Sequence, residues 1–453
     1  MMKTTKTISK RRLVLHAVRV HCVPLSPIKI FHTMAVALED GDDLDIEAIP
    51  SSGPNYSYRV SLRLDANVAV YAKLAKDKAA SRRIENEFRI THDLLSGLPE
   101  ALIVKPFFCD TLENGLTLLV TEYKPAREPW AYQFLEGDVD RQAVCDLATT
   151  IAQLHSAKGY GQNFINSKVV SSDEFIMLES KERLLTKLDD AQDHQDQTSP
   201  MGKMLQDVGR EACLKIMDSA VKNFKSRECL IHNDLNVYNI LTDKRSFLGY
   251  RQRDGEGRGA CICDFELATV GPIGRDVGTL FGWPIAFCLW HANQGREEAA
   301  AEILAAIEYF WKQYSSALRE VDGRDETSLT EVLRNVLGWS GWFLCIGICL
   351  NGEGEDSFDF LHCDGGRLME AICNVGMRLM NWGFGGYEPD LSLEELCSSL
   401  VRTVQNEEDR LLGIDCYVPR HHRNSLFLNR RRKSCSSDTG QSSETLRRDS
   451  GIL

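Results

Sequence analysis

The spacing of apolar positions changes character near residue 124. Upstream, residues 56–74 (YSYRVSLRLDANVAVYAKL) and 116–123 (LTLLVTEY) alternate or run apolar and are rich in Val, Leu and Tyr, the pattern of sheet strands. Between them, residues 80–95 place Ile84, Phe88, Thr91 and Leu95 on one helical face. Lys124-Pro125 then breaks the pattern, and the apolar period becomes helical. Val144, Leu147, Ile151 and Leu154 form one stripe within 141–156, and Ile303, Ile307, Phe310 and Tyr314 another within 299–317. The pattern predicts an α+β molecule of two lobes, a small β-rich one with a helix across its sheet and a larger α-rich one. The hinge falls near 122–126.

One stretch inside the second lobe fits neither period. Residues 230–241 read LIHNDLNVYNIL, apolar at both ends and crowded with His232, Asn233, Asp234, Asn236 and Asn239 between. This reads as a strand, a polar loop and a second short strand; an Asx-rich surface turn has the same composition. Asp264, thirty residues after Asp234, lies in the segment ACICDFELATVGPIGRDVGTL. The segment opens strand-like and presents Asp264 and Glu266 at alternate positions, which an extended backbone would put on one side. Two carboxylates and an asparagine amide oxygen are hard ligands of the kind Mg²⁺ selects, and a Mg²⁺ so held serves substrate phosphates. Lys73 is the only lysine inside the apolar strand of the first sheet. Glu87, on the helix that follows, is its natural partner, because a lysine there is costly unless paired.

Composition narrows the function classes. Of the 453 residues, 43% are hydrophobic and 26% charged, as in ordinary globular proteins. Residues 1–38 carry seven Lys/Arg and no acid, and 420–453 carry a net of five positive charges. Set against the total of −12, this leaves −24 on the middle of the chain. So acidic a body excludes a nucleic-acid surface, which needs basic residues to displace counterions. The fifteen cysteines form no CxxC pairs or ligand-spaced sets, so they read as reduced thiols rather than a zinc site. Two uncharged runs, 277–295 and 335–352, approach membrane-spanning length, but their Gly and polar residues mark them as buried helices and no membrane association is expected. The basic, acid-free start has the composition of an organelle transit peptide; alternatively Met34 is the start. The location is accordingly cytoplasmic, or organellar if that segment is a transit peptide.

Taken together, HxDLxxxN at His232–Asn239, Asp264 thirty residues on, Lys73 with Glu87, and a hinge at Glu122-Tyr123 resemble the protein-kinase-like phosphotransferases of small molecules. That group includes aminoglycoside phosphotransferases, choline kinases and methylthioribose kinases. The segment DFELATVGPIGRDVGTL looks most like the methylthioribose kinase branch, as does Asn55–Val60. The resemblance implies a bilobal protein-kinase-like fold. It divides the chain into a basic segment 1–39, an ATP-binding N-lobe 40–124, a catalytic and substrate-binding C-lobe 125–415, and a disordered basic Ser-rich tail 416–453.

The resemblance also implies roles. ATP and Mg²⁺ are the cofactors. Asp234 takes the proton of the acceptor hydroxyl, Asn239, Asp264 and Glu266 hold the metal, and Lys73, steadied by Glu87, reaches the phosphates. Backbone groups of Glu122, Tyr123 and Lys124 meet the adenine. His232 packs beneath the loop, and Asp276 braces it by accepting loop amides. The acceptor is a small-molecule hydroxyl, by closest resemblance that of 5-methylthioribose in methionine salvage. Choline, ethanolamine or an aminoglycoside is the alternative, and an inactive ATP-binding scaffold is the alternative of another class. A protein kinase is disfavoured by the lack of G-x-G-x-x-G, D-F-G and A-P-E.

There are departures from the family pattern. SSGPNYSY keeps a single glycine, Gly53; Glu85 competes with Glu87; and Arg378 is the one candidate on a late helix for a sugar-binding arginine. The run GTLFGWPIAFCLW offers apolar surface for an S-methyl group, and its Trp283 and Trp290 could equally hold a quaternary ammonium. Arg431-Arg432-Lys433-Ser434 and Arg447-Arg448-Asp449-Ser450 have the form of basophilic phosphorylation sites, at Ser434 and Ser450. A homodimer is compatible with the pattern but nothing in it requires one.

Overall fold

The computed structural model describes residues 14–15, 17–18, 43–49, 54–65, 68–95, 102–156, five positions between 181 and 189, 208–243, 259–350, 366–385 and 392–412. Ser51–Gly53, the proposed sites Ser434 and Ser450, and the whole tail beyond 412 lie outside the described residues.

The first lobe is an antiparallel five-stranded sheet in the order β1-β2-β3-β5-β4, from β1 (Leu44–Ile49), β2 (Asn55–Leu62), β3 (Ala69–Ala75), β4 (Pro106–Thr111) and β5 (Thr117–Glu122). The run expected over 56–74 thus splits into the neighbouring strands β2 and β3. On β3 the residues alternate. Val70, Ala72 and Leu74 join Val60, Phe108, Leu118 and Val120 in one apolar layer, so Lys73 must point from the opposite face. Helix α1 (Lys78–Phe88) crosses that opposite face, with Ala80 and Ile84 packed on Ala75 and Leu119. Asp77 caps it, accepting from the Ala80 amide at 2.8 Å. The expected single helix over 80–95 holds, but its last turns, Arg89–Leu94, widen into a π-helix.

The outer face of the sheet is not bare. Val14, Ala17 and Val18, in helical backbone, are at most 5% exposed and belong to the same apolar layer. Part of the segment read as a transit peptide or as dispensable therefore packs into the first lobe's core.

The second lobe is helical around one central element. Its order is β6 (Arg127–Pro129), α2 (Ala131–Glu136), α3 (Arg141–His155), α4 (Arg210–Phe224), β7 (Cys229–Ile231), β8 (Ile240–Asp243), β9 (Cys261–Ile262), β10 (Thr269–Gly271), α5 (Gly274–Asn293), α6 (Glu297–Asp322), α7 (Glu326–Trp342), α8 (Arg367–Phe384) and α9 (Leu393–Leu411). Helix α5 packs against α6, α7, α8 and α9 and is buried on almost every side, which explains its lack of charge after Asp276. A Cβ on Gly278 would lie 2.4 Å from that of Trp339, so a glycine is what lets α5 and α7 approach. The span Glu326–Cys349 is long and apolar enough to cross a membrane by length and composition, yet 78% of its 18-residue apolar stretch is buried within the protein. The stripes on α3 and α6 lie in the core as their spacing predicts.

Candidate active site

The polar loop is held between two short strands, as the pattern at 230–241 predicts. β7 pairs with β10 and β8 with β9, so the loop Leu230–Leu241 and the segment from Asp264 leave neighbouring strands side by side. Asp276, fully buried, accepts from the backbone amides of His232 (2.6 Å) and Asn233 (2.8 Å). His155 faces the same carboxylate at 3.2 Å and Tyr314 at 2.9 Å on its other side. Burial alone would raise the Asp276 pKa; the bonds and charge of His155 and His232 outweigh it and hold the carboxyl below its usual value. His232 lies beneath the loop, its Nε2 2.8 Å from the Cys263 carbonyl and its ring on Phe265. Both residues are structural braces.

The loop presents Asp234 with its carboxylate accepting from Asn236 Nδ2 (3.0 Å) and Asn239 Nδ2 (2.9 Å). Burial raises its pKa, against lowering by His232 and the two asparagines. A carboxylate held at a fixed angle by two amides, with raised proton affinity, suits a base that takes a hydroxyl proton.

Across from it, Lys73 gathers the carboxylates. Its Nζ lies 2.7 Å from Glu87, 2.6 Å from Asp264 and 3.4 Å from Glu266. Burial opposes the charge on Lys73, but Asp264, Glu87 and Glu266 overcome it and raise the lysine well above its ordinary value. The choice between Glu85 and Glu87 falls to Glu87, because Glu85 instead accepts from the Thr117 hydroxyl at 3.1 Å. Asn55 Nδ2 holds Glu266 at 2.7 Å, a contact that sequence reading missed; the Asn55–Val60 strand start was its only signal. One expectation needs correcting. Asp264 and Glu266 do not alternate along an extended strand: Asp264 is left-handed (φ 67°, ψ 56°) and Phe265–Leu267 form a 3₁₀ turn. They reach the same lysine because the backbone curls.

Glu122, Tyr123 and Lys124 line a cleft of about 380 Å³ together with Tyr71, Lys73, Asn239 and Asp264. Lys124 Nζ meets Glu122 at 2.7 Å. The donor set fits a hard divalent cation. Asp264 and Glu266 offer oxygens that lie, with one of Glu87, within 4.8 Å of one another. Asn239 turns its amide nitrogen to Asp234, and its Oδ1 accepts no hydrogen bond among the described residues. Glu87 joins this cluster where Asn239 was expected, since α1 brings it beneath Lys73.

One expectation on the acceptor side is overturned. The run GTLFGWPIAFCLW is core: Trp283 is 4% exposed and packs on Tyr238, Phe287 and Phe343, because α5 is enclosed by the other helices. None of its residues lines the cleft that holds Lys73 and Asp264. Arg378 is exposed on α8, on the far side of that helix from its buried apolar face.

A lysine on a sheet paired with a glutamate of the adjoining helix, facing an Asp/Asn loop across a cleft in an α+β body of two lobes, is the arrangement of a kinase-like phosphotransferase. The chain belongs to the phosphotransferase enzyme family known as APH, whose profile matches residues 45–321. No curated protein sequence matches it significantly. Among solved structures it is similar to aminoglycoside phosphotransferase APH(2'')-Ib bound to ADP, at 14% identity over 78% of this chain and 99% of that one, TM-score 0.38. It is also similar to aminoglycoside phosphotransferase APH(4)-Ia, at 13% identity over 77% and 98%, TM-score 0.40. A third is spectinomycin phosphotransferase APH(9)-Ia with ADP and spectinomycin, at 14% identity over 83% and 98%, TM-score 0.39. At these scores the likenesses carry nothing about the acceptor.

Proposed function

We propose that this phosphotransferase transfers the terminal phosphoryl group of ATP to a hydroxyl of a small molecule. The observation that carries the reading is the pairing of Lys73 with Glu87 and Asp264 on one side of the cleft and the amide-held Asp234 on the other. Lys73 neutralises phosphate charge, and Glu87 keeps it extended into the cleft. Asp234 orients the acceptor hydroxyl and takes its proton as the bond to phosphorus forms. Asn239, Asp264 and Glu266 would hold Mg²⁺, which when bound supplies charge neutralisation at the phosphates. The backbone at Glu122–Lys124 would receive the adenine at the hinge side of the cleft. The scaffold alternative is disfavoured because every charged part of this set is in place.

The acceptor to which the DFELATVGPIGRDVGTL resemblance points is the sugar hydroxyl of 5-methylthioribose. It is the first compound to test, with choline and an aminoglycoside beside it. The experiment is coupled ATP consumption by the full chain and by its Asp234→Ala variant. Turnover of a hydroxyl compound that depends on Asp234 supports the reading. Nucleotide binding with no Asp234-dependent turnover across a broad panel of alcohols would favour the scaffold.

A further inference from the structure

The guanidinium of Arg275 has no part in the chemistry above, yet it is built into the site. It lies in the first turn of α5, one residue before the Asp276 brace. Its Cζ rests 4.7 Å from the centre of the Trp339 ring, and its Nε donates to Asn233 Oδ1 at 3.4 Å. Asn233 is the residue between His232 and Asp234 and has a left-handed backbone, φ 64°. Trp339 is itself fixed: its Nε1 donates to Asn223 Oδ1 at 2.9 Å, and Asn223 Nδ2 donates to Asn335 Oδ1 at 2.8 Å. The arginine thus lies on a shelf made by α4 and α7 and touches the catalytic loop.

What the shelf lacks is an acceptor. Arg275 Nη1 is buried with no hydrogen-bond partner. The nearby carboxylates are engaged elsewhere, Asp276 by two loop amides and His155, and Asp234 by two asparagines. Burial lowers the Arg275 pKa to about 10 despite the pull of Asp276 and Asp234. Buried polar groups in folded proteins find partners, and a desolvated charge without one is costly. The residue as a whole is only partly buried, unlike Asp276 beside it. Arg275 is not among the residues lining the nucleotide cleft, and its bond to Asn233, the residue next to Asp234, ties it to the catalytic loop instead. A guanidinium is a rigid fork of donors that matches carboxylate and phosphate oxygens in pairs.

We propose that Arg275 is a specificity-determining residue that takes an anionic group of the acceptor, a carboxylate or a phosphate ester, and so sets the acceptor hydroxyl at Asp234. The proposal rests on the phosphotransferase reading and deepens it. It predicts that an anionic hydroxyl compound is preferred to its neutral counterpart, and it disfavours polycations outright.

The test uses the full chain, Arg275→Met and Arg275→Lys with matched acceptors: gluconate against glucitol, and ribose 5-phosphate against ribose, with methylthioribose as a further neutral sugar. ATP consumption and ligand-induced thermal shift are measured on each, with the nucleotide present. In the wild type at least one anionic member should bind or turn over with roughly tenfold or greater preference over its neutral partner. In Arg275→Met that preference should vanish while nucleotide KM is unchanged, and Arg275→Lys should keep part of it. The gluconate and ribose 5-phosphate arms tell which anion is read. Equal thermal shifts with acids and neutral partners, or the same shifts in wild type and Arg275→Met, would overturn the proposal. So would an equal loss of kcat with every acceptor, since that marks a role in phosphoryl transfer itself. Should Arg275→Met fail to fold, the comparison rests on Arg275→Lys, in which an unaltered preference would count against the fork. Failure of the phosphotransferase reading looks different: anion-dependent shifts would persist with no Asp234-dependent ATP consumption.

Discussion

Lys73 on the first lobe's central strand and Asp264 on the second lobe meet at 2.6 Å, so one ammonium joins the two halves of the molecule across the cleft. Glu87 and Glu266 complete its shell. The protein's own cation therefore stands where three carboxylates converge, and it is the group that lets them lie so close.

Replacing Lys73 with Met should leave that carboxylate cluster uncompensated. Removing one partner of a buried ion pair costs about 3–5 kcal/mol, and the loss should appear as a lower melting temperature. Nucleotide affinity should fall at least roughly tenfold, because a charge-assisted phosphate contact is lost with it. Calorimetric titration of the nucleotide into the variant checks this; wild-type affinity would remove Lys73 from the phosphate site.

Glu87→Gln and Glu85→Gln separate two acids that sequence spacing leaves close. Glu87 touches Lys73 at 2.7 Å, whereas Glu85 meets Thr117 at the far side of α1. The first variant should raise the KM for ATP severalfold, and the second should leave it unchanged. Steady-state kinetics on the pair decide it.

Asp234→Ala should reduce kcat by roughly 10²–10⁴, the usual range for loss of a positioned base, with nucleotide affinity nearly intact. The pH profile carries a second check. Burial raises the Asp234 carboxyl, and the base works as its anion, so activity should be lost as pH falls through a midpoint above the ordinary aspartate value. An acid limb at or below the ordinary value would assign that limb to another group.

Asp276→Asn should destabilise the catalytic loop. An amide presents only one acceptor oxygen where two backbone N–H groups now find partners, and a buried donor left unmade costs about 1–3 kcal/mol. The folded carboxyl is held below its unfolded value. Its stabilisation is therefore present above the unfolded pKa of about 3.9 and is lost as pH falls below that through the folded value. Acid unfolding followed by circular dichroism should show Asp276→Asn gaining less stability than the wild type between acid and neutral pH.

Val14→Ala together with Val18→Ala tests whether the N-terminal helical turn belongs to the nucleotide-binding lobe. Both valines are fully buried against the sheet. Deleting four buried methyl groups should cost about 3 kcal/mol, read as a shift in the denaturant midpoint. A midpoint equal to wild type would mean that the segment is not part of the core.

Much of this was legible in the sequence. The apolar run at 56–74, the helical stripes and the polar interruption at 230–241 are local signals, although that run proved to be two neighbouring strands and the helix over 80–95 ends in a π-helix. Lys73 with Glu87 was legible because a lysine in an apolar strand demands a partner. Asp276 was legible as a brace through the family resemblance alone. Three things were not. The curl at Asp264 depends on a left-handed residue that no glycine announces. The burial of GTLFGWPIAFCLW depends on helices far along the chain, and an apolar run reads alike whether it lines a pocket or fills a core. Arg275 looked like one more charged residue until Trp339, sixty-four positions away, was seen beneath it.

The contact at Gly278 has a consequence for how this protein can change over generations. With no room for a methyl group between α5 and α7, an alanine there would push Trp339 sideways and tilt the shelf on which Arg275 rests. Helix packing and acceptor recognition are thereby inherited as one unit. Variation in what the enzyme accepts is freer at Arg275 itself than in the seam beneath it. A library of random mutants would find inactivating changes at a glycine that no ligand ever touches.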